Sequence, residues 1–190
     1  MWHLIIIKLH KIGLIKHYEV ICKNVSIPII LYNVPSRTGL NIEPNTCKEL
    51  SKFSNIVAIK EASGNISQVA EIANICKDDL YIYSGNDDQI IPVLSLGGIG
   101  VISVLSNIAP KNTHLIVDNY LKGNISEALS MQLQALNLIH SLFSEVNPIA
   151  VKKALNLIGY NFGKPRLPLI ELSNQNTSKL KLELENYKLL

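Results

Sequence analysis

Four short apolar runs alternate with segments of helical periodicity up to residue 124, and this alternation limits the possible folds more than any other feature. The apolar runs, which predict strands, cover 27–34, 55–61, 80–84 and 98–104. The spacing of apolar residues predicts helices over 13–24, 44–53, 67–77, 89–96 and 110–122. Strands and helices that alternate through short connections indicate parallel βα units. Continuous Ile, Val and Leu runs fit a barrel interior and a doubly wound sheet equally well.

Beyond residue 124 the strand signals stop, and the sequence predicts three helices over 125–143, 148–159 and 177–189. We therefore expect an α/β fold. One form is about four βα units of a (β/α)8 barrel over 13–124, followed by a C-terminal helical domain over 125–190, and the other is a small open sheet. A complete barrel needs roughly 250 residues, so the barrel interpretation requires βα units that this sequence does not contain.

Charge and composition exclude several classes of partner. The net charge is only +3, Arg37 and Arg166 are the only arginines, and no basic stripe indicates nucleic-acid binding. Cys22, Cys47 and Cys76 are widely spaced and form no C-x-x-C pair, so we expect neither a disulfide framework nor a metal site. No apolar run has the length needed to cross a bilayer. These features predict a cytoplasmic protein that binds neither nucleic acid nor membrane.

Lys60 carries the most information about chemistry. It ends the apolar run NIVAIK, and a buried strand rarely contains a lysine without a purpose. Burial lowers the pKa of an ammonium group, so such a lysine is neutral often enough to attack a ketone and form an imine. The alternative is a strand-end lysine that extends to solvent or pairs with Glu61. From this residue alone, the structural role is favoured.

Further candidates follow the predicted strands, at the edge where parallel α/β folds collect their chemistry. Tyr32, near the end of the first strand, fits a proton relay and a core aromatic residue equally well. Arg37 lies in the PSRTG loop, where a guanidinium can hold a substrate carboxylate or face solvent. Gly85 and the G-G-x-G at 97–100 can let the backbone approach a ligand, but they lack the pattern of a dinucleotide fold.

Five motifs occur in order along the chain: YNVPSRTG (32–39), IKEASGN (59–65), YSGND (83–87), GGIGVIS (97–103) and NPIAVKKAL (147–155). Together they resemble the second half of the dihydrodipicolinate synthase (4-hydroxy-tetrahydrodipicolinate synthase) family, within the pyruvate-aldolase superfamily that includes N-acetylneuraminate lyase. The resemblance extends from Gly13 to the end of the chain. It implies the C-terminal half of a TIM barrel and a Schiff-base lyase that condenses pyruvate with L-aspartate 4-semialdehyde in lysine and diaminopimelate biosynthesis.

The resemblance implies a role for each candidate residue. Lys60 would form the Schiff base with pyruvate, and Tyr32 would relay protons during imine formation and attack. Arg37 would bind the carboxylate of aspartate semialdehyde, which favours the synthase over the sialate lyases. Gly85 and Ile102 would line the pyruvate pocket, Ile102 through its backbone carbonyl. No cofactor is implied other than the covalent pyruvate imine on Lys60, and the implied assembly is a homo-oligomer, a tetramer in the family with a dimer as the alternative.

The sequence departs from the family pattern at its beginning. The family's first four βα units are absent, with their Thr-Thr pair that holds pyruvate, and so is a Tyr-Tyr-Asn segment that completes the proton relay. Met1 through His10 match an out-of-frame reading of a message for that segment, with the frame restored near Ile12. We therefore expect residues 1–12 to be an out-of-frame leader, with a native apolar extension as the alternative. A half-barrel also exposes two strand edges, which predicts oligomerisation or aggregation.

Two alternatives to the synthase function remain open at this point. A related pyruvate-dependent aldolase, similar to the sialate lyases, would use the same lysine with a different aldehyde. A chain without the first half of its barrel would instead be a non-catalytic fragment that acts only in assembly.

Overall fold

The computed structural model describes residues 11–190, which form two compact units. The first unit ends at Ile102, and the second runs over Ser103–Leu190. The domain boundary predicted after residue 124 lies inside the second unit and stays a prediction. Residues 1–10 of the predicted leader lie outside the described residues, whereas Lys11 and Ile12 begin the first helix.

The first unit contains the alternating helices and strands that the sequence predicts. Its elements are α1 (Lys11–Asn24), β1 (Ile29–Asn33), α2 (Pro35–Thr38), α3 (Pro44–Leu50), β2 (Ile56–Glu61), α4 (Ile66–Cys76), β3 (Tyr81–Ser84), α5 (Ile90–Ser95) and β4 (Gly100–Val101). Two 3-10 turns, Lys77–Asp79 and Asp87–Gln89, precede β3 and α5. The predicted order of strands and helices is therefore confirmed, and the short α2 is an addition to it.

The four strands form one parallel sheet in the order β1-β2-β3-β4. Each strand lies beside its neighbour in sequence, whereas a doubly wound sheet reverses its strand order at a switch point. Winding in a single direction is the arrangement of a (β/α)8 barrel. The strand order thus decides between the two folds that the apolar runs left open, in favour of the barrel.

One face of the sheet is covered by helices. Because side chains alternate along a strand, Leu31, Ile59 and Ile82 all point to this face, and each is at most 3% exposed. They share a core with Leu50 of α3 and Ile72 of α4. Burial of aliphatic side chains on this scale is the main force that holds helices to a sheet.

The opposite face of the sheet, called the inner face below, carries large side chains that remain open to solvent. Ile30, Tyr32, Tyr81 and Ile102 are between 37% and 56% exposed. Lys60 lies on the same face, because it pairs with Tyr32 in the β1–β2 register. Side chains from all eight strands fill this face in a complete barrel, so its exposure is what a four-stranded part of a barrel predicts.

The last strand, β4, is shorter than the strand predicted over 98–104. Gly97 adopts a left-handed conformation with φ of +89°, and Gly98 donates its N–H to the Val93 carbonyl at 2.9 Å. Both glycines therefore end α5 instead of beginning the strand. Pairing with β3 continues as far as Ile102, whose N–H donates to the Ser84 carbonyl at 2.9 Å.

The second unit is helical, and its helices correspond to those predicted over 110–122, 125–143, 148–159 and 177–189. It contains a 3-10 turn at Leu105–Asn107 and the helices α6 (Pro110–Leu121), α7 (Ile125–Leu142), α8 (Ile149–Ile158) and α9 (Asn174–Asn186). Helix α7 packs against α6, α8 and α9, and its Ala135, Leu138 and Leu142 are buried in a core shared with Ala154 and Leu180. None of the helices between Lys11 and Leu190 has the length and apolar character required to cross a membrane.

Candidate active site

Lys60 and Tyr32 lie side by side at the ends of two neighbouring strands. The β1–β2 register pairs Tyr32 with Lys60, and both side chains point to the inner face. The Nζ atom of Lys60 lies 4.3 Å from the centroid of the Tyr32 ring, within the range of a cation–π contact. The structure thus brings together the two residues for which a catalytic role is predicted.

The surroundings of Lys60 lower the pKa of its ammonium group. Burial is the largest cause, because the charged form loses part of its hydration. The Asp87 carboxylate opposes this effect by raising the pKa, and the Arg37 guanidinium, a like charge, lowers the pKa further. A lowered pKa increases the fraction of neutral amine at a given pH, and the neutral amine is the form that attacks a carbonyl.

Asp87 belongs to the site, although it is not among the site residues predicted from the sequence. It begins the 3-10 turn after β3 and is only 1% exposed, so its charge acts on Lys60 with little screening by solvent. Two sequence features point to Asp87 as a site residue: it is the last residue of the YSGND motif, and it follows the end of a predicted strand. Its burial was not predictable, since most aspartates at such positions are exposed.

Arg37 lies on a one-turn helix, α2, and not in the predicted loop. Pro35 occupies the first turn of this helix, and Gly39 ends it in the left-handed conformation with φ of +67°. The Gly39 N–H donates to the Pro35 carbonyl at 2.9 Å. Arg37 itself is exposed, and its charge reaches Lys60. The guanidinium is therefore open to a ligand that approaches the amine from solvent.

Gly85 packs against backbone at the end of the neighbouring strand. Its N–H donates to the Glu61 carbonyl at 2.7 Å, and a Cβ at this position would lie 2.5 Å from the Cβ of Ala62. Glycine therefore holds the end of β3 against the end of β2, next to Lys60. Ile102, the remaining predicted site residue, follows β4 on the inner face.

Tyr83 is a further inner-face residue beside Lys60, with which it pairs in the β2–β3 register. Gly100 pairs with Tyr83 in the next register, and a Cβ on Gly100 would lie 3.3 Å from the Tyr83 ring. The last glycine of the G-G-x-G run therefore makes room for this ring. The position of Tyr83 at the start of the YSGND motif is a signal for a site residue, but the apolar run around it predicts only that this residue belongs to a strand.

Glu61 points away from Lys60, so the alternative in which these two residues form an ion pair is wrong. Neighbouring residues of a strand face opposite sides, and Glu61 is 3% exposed on the helix-covered face. Its carboxylate accepts hydrogen bonds from Asn33 Nδ2 at 2.8 Å, from the Ser63 N–H at 2.6 Å and from Gln68 Nε2 at 3.2 Å. The strand-end amine and the strand-end carboxylate thus have separate environments.

The cysteines take no part in this site. Cys22, Cys47 and Cys76 are free thiols, and burial raises the pKa of both Cys47 and Cys76, which keeps them protonated. Within residues 11–190, no three His, Cys, Asp or Glu side chains form a group that could hold a metal ion.

Removing the charge of Asp87 and removing the charge of Arg37 should shift the Lys60 pKa in opposite directions. Asp87→Asn removes the charge that raises the Lys60 pKa, so the pKa should fall, whereas Arg37→Gln removes a like charge, so the pKa should rise. Trace acylation of the protein over a pH series, with the Lys60 peptide quantified by mass spectrometry, measures both midpoints. Asp88→Asn, at an exposed neighbour, is the control and should have a smaller effect. Shifts in the same direction would contradict this electrostatic account.

Comparison with known proteins identifies the family of this chain. The sequence model of the dihydrodipicolinate synthetase family matches residues 6–187. The 4-hydroxy-tetrahydrodipicolinate synthase of Caldicellulosiruptor saccharolyticus is 62% identical over 175 residues, which cover 92% of this chain and 59% of the relative. A synthase of Clostridium acetobutylicum is 54% identical over 178 residues, 94% of this chain and 61% of the relative. The chain thus spans about three fifths of the length of the curated relatives that it matches.

Solved structures agree with the sequence relatives. The crystal structure of a dihydrodipicolinate synthase from Thermotoga maritima superposes with a TM-score of 0.94 and 37% sequence identity, and the match covers 96% of this chain and 63% of that one. The described βα units are therefore part of a TIM barrel, followed by helices, as predicted from the sequence. Both kinds of comparison lead to the same conclusion: the chain belongs to the dihydrodipicolinate synthetase family.

Proposed function

We propose that this protein is a Schiff-base lyase of the 4-hydroxy-tetrahydrodipicolinate synthase type, which condenses pyruvate with L-aspartate 4-semialdehyde in lysine and diaminopimelate biosynthesis. The observation that carries the proposal is the environment of Lys60, a strand-end lysine with a lowered pKa whose amine lies over a tyrosine ring. The synthase names of the curated relatives support the same reaction.

In the proposed reaction, the neutral amine of Lys60 attacks the keto carbon of pyruvate and forms a carbinolamine. The carbinolamine loses its hydroxyl group as water, which leaves a protonated imine joined to Nζ. The departing hydroxyl needs a proton, and the phenol of Tyr32, next to Nζ, is the group that transfers it. The phenolate left on Tyr32 then takes a methyl proton, which converts the imine to an enamine. The enamine carbon attacks the aldehyde carbon of the second substrate, and the aldehyde oxygen takes the proton back from Tyr32.

The charges around the amine suit these intermediates. The protonated imine is a cation, and the buried Asp87 carboxylate would stabilise it. The exposed Arg37 would bind the carboxylate of aspartate semialdehyde through two parallel hydrogen bonds, a geometry that guanidinium groups favour. Gly85 and the backbone carbonyl of Ile102 would border the bound pyruvate. In this scheme the covalent imine on Lys60 takes the place of a cofactor.

The proposal includes a homo-oligomer, a tetramer with a dimer as the alternative. Its support is the described sheet, in which β1 and β4 are edge strands. Edge strands present unpaired N–H and C=O groups that can pair with another chain, and such pairing leaves the inner face with Lys60 uncovered.

The role of Arg37 can be tested separately from imine formation. Arg37→Ala should reduce kcat/KM for aspartate semialdehyde by about 100-fold, because a charged hydrogen-bonded contact contributes roughly 1.5–3 kcal/mol. Borohydride trapping of pyruvate by the same variant should stay within a few-fold of the parent chain once both are compared at equal amine ionisation. The measurement is a steady-state titration with each substrate.

Arg166→Ala is the matched control, because Arg166 is the only other arginine and is also exposed. It should leave both the steady-state titration and the trapping rate unchanged. Equal values of kcat/KM for aspartate semialdehyde in Arg37→Ala and Arg166→Ala would contradict the assigned role of Arg37. That result would favour an aldolase that acts on a different aldehyde.

A further inference from the structure

A buried carboxylate lies directly behind the Lys60–Tyr32 pair, on the helix-covered face of the sheet. Glu61 is 3% exposed, and the donors to its side chain are three uncharged groups: the amides of Asn33 and Gln68 and the backbone N–H of Ser63. Removing a carboxylate from water is costly, and several short hydrogen bonds compensate for it. Since an apolar residue would fill the same space at lower cost, the charge calls for a specific explanation.

The donors to Glu61 are themselves fixed by a second layer of hydrogen bonds. Asn33 Nδ2 also donates to Asn41 Oδ1 at 2.9 Å, and Asn33 Oδ1 accepts the Ile42 N–H at 2.9 Å. Asn41 Nδ2 donates to Gln68 Oε1 at 2.7 Å. Each amide therefore has one orientation in which its partners are satisfied. The result is a connected network with Glu61 at its centre, a form that specifies geometry better than isolated contacts do.

The network holds together the two strand ends that carry the site. In the β1–β2 register Asn33 pairs with Glu61, and Tyr32 pairs with Lys60 one position earlier. Because neighbouring side chains face opposite sides, a bond between Asn33 and Glu61 behind the sheet fixes the spacing of Tyr32 and Lys60 in front of it. The Glu61 carbonyl also accepts the Gly85 N–H at 2.7 Å, which connects the end of β3 to the same point.

We propose that Glu61 is a positioning residue: with Asn33 and Gln68 it holds the ends of β1 and β2 so that the Lys60 amine lies over the Tyr32 ring. The catalytic consequence of this role rests on the function proposed above, whereas the geometric role does not. Glu61 has no contact with the reacting atoms and acts through the backbone of its own strand.

Glu61→Gln is the sharpest test, because it keeps the shape of the side chain and removes its charge. One end of the new amide must be a donor, and it then faces either the Ser63 N–H or the donors of Asn33 and Gln68. At least one pair of donors would meet, and the strand ends would shift. Lys60 would move out of its partly buried position towards solvent.

The direction in which Glu61→Gln shifts the titration midpoint of Lys60 distinguishes a positioning role of Glu61 from a direct effect of its charge. If Glu61 acted on Lys60 through its charge, Glu61→Gln would lower the Lys60 midpoint, because a negative charge near an ammonium group raises its pKa. Release of Lys60 to solvent has the opposite sign, because less burial raises the midpoint towards that of an ordinary lysine. Trace acylation of the Lys60 peptide over a pH series measures this midpoint without any substrate.

The expected result for Glu61→Gln is a higher Lys60 midpoint, together with a trapping rate for pyruvate that falls by about 10- to 100-fold at saturating pyruvate. Gln68→Met removes one hydrogen-bond donor to Glu61 and leaves the Glu61 charge unchanged. It should raise the Lys60 midpoint and lower the trapping rate by smaller amounts, so it replaces Glu61→Gln as the test if that variant does not fold. Ile72→Val, in the same core but outside the network, is the control and should leave the midpoint unchanged.

A lowered or unchanged Lys60 midpoint in folded Glu61→Gln would overturn the positioning role. A parent chain that never traps pyruvate would instead remove the proposed function, and the midpoint comparison would still decide the role of Glu61.

Discussion

Lys60→Arg is expected to abolish covalent capture of pyruvate while leaving the fold intact. Arginine keeps a positive charge over the Tyr32 ring, so the cation–π contact is retained. Its guanidinium remains protonated at any pH at which the protein is folded, and it cannot form the imine. We expect the incorporation of labelled pyruvate in the presence of borohydride to fall on the order of a thousandfold or more, as is typical when a covalent nucleophile is removed.

The matched control for this experiment is Lys48→Arg. Lys48 is a partly exposed lysine of α3 that forms an ion pair with Asp79 at 2.7 Å, and this bond raises the pKa of its ammonium group. A lysine that is held protonated should not react with pyruvate, so Lys48→Arg should incorporate as much label as the parent chain. Wild-type incorporation by Lys60→Arg would show that a different residue is the nucleophile.

Gly85→Ala should have the second large effect, a loss of stability from a single methyl group. The new Cβ would lie 2.5 Å from Ala62 Cβ and 2.9 Å from the Glu61 carbonyl oxygen. Neither the Ala62 methyl group nor the Glu61 backbone can move aside without separating β2 from β3. Overpacking of this kind costs about 1–3 kcal/mol, and a chain of this size loses roughly 2–4 °C in Tm per kcal/mol. Calorimetry or a urea titration gives the change directly.

Replacing Gly13 with alanine should not cause the loss of stability that is expected for Gly85→Ala. Gly13 lies within α1, where a Cβ would have no described heavy atom within 4 Å. Alanine favours a helix over glycine by up to about 1 kcal/mol, so Gly13→Ala should be neutral or stabilising. If both variants lose the same stability, close packing of Gly85 against β2 is not the cause.

The sequence predicted which elements form, because the pattern of apolar residues reports the face that each element buries. It did not decide how the strands are ordered, since a continuous apolar run fits any strand with two buried faces. Short-range chemistry accounts for the differences at element ends. Helix α9 begins before the predicted start at 177 because the Ser173 hydroxyl accepts the Asn176 N–H at 3.4 Å and caps the first turn.

For the candidate site, the sequence predicted the residues but not their environments. Lys60 and Tyr32 were selected as polar groups at strand ends, and their contact follows from the register of β1 and β2. The burial of Asp87 and the network around Glu61 depend on residues distant in sequence, such as the hydrogen bond from Gln68 to Glu61. No single-sequence pattern reports such contacts, because each polar residue alone is compatible with a solvated position.

Peptide mapping of the chain after borohydride reduction with pyruvate tests the central claim most directly. Reduction of the imine adds the mass of pyruvic acid less one oxygen atom, and the modified peptide can be located by tandem mass spectrometry. We predict a single adduct on Lys60, dependent on both pyruvate and borohydride, that forms more rapidly as the pH rises through the lowered Lys60 pKa. An unmodified Lys60, or an adduct spread over the exposed lysines, would contradict the assignment of Lys60 as the Schiff-base nucleophile.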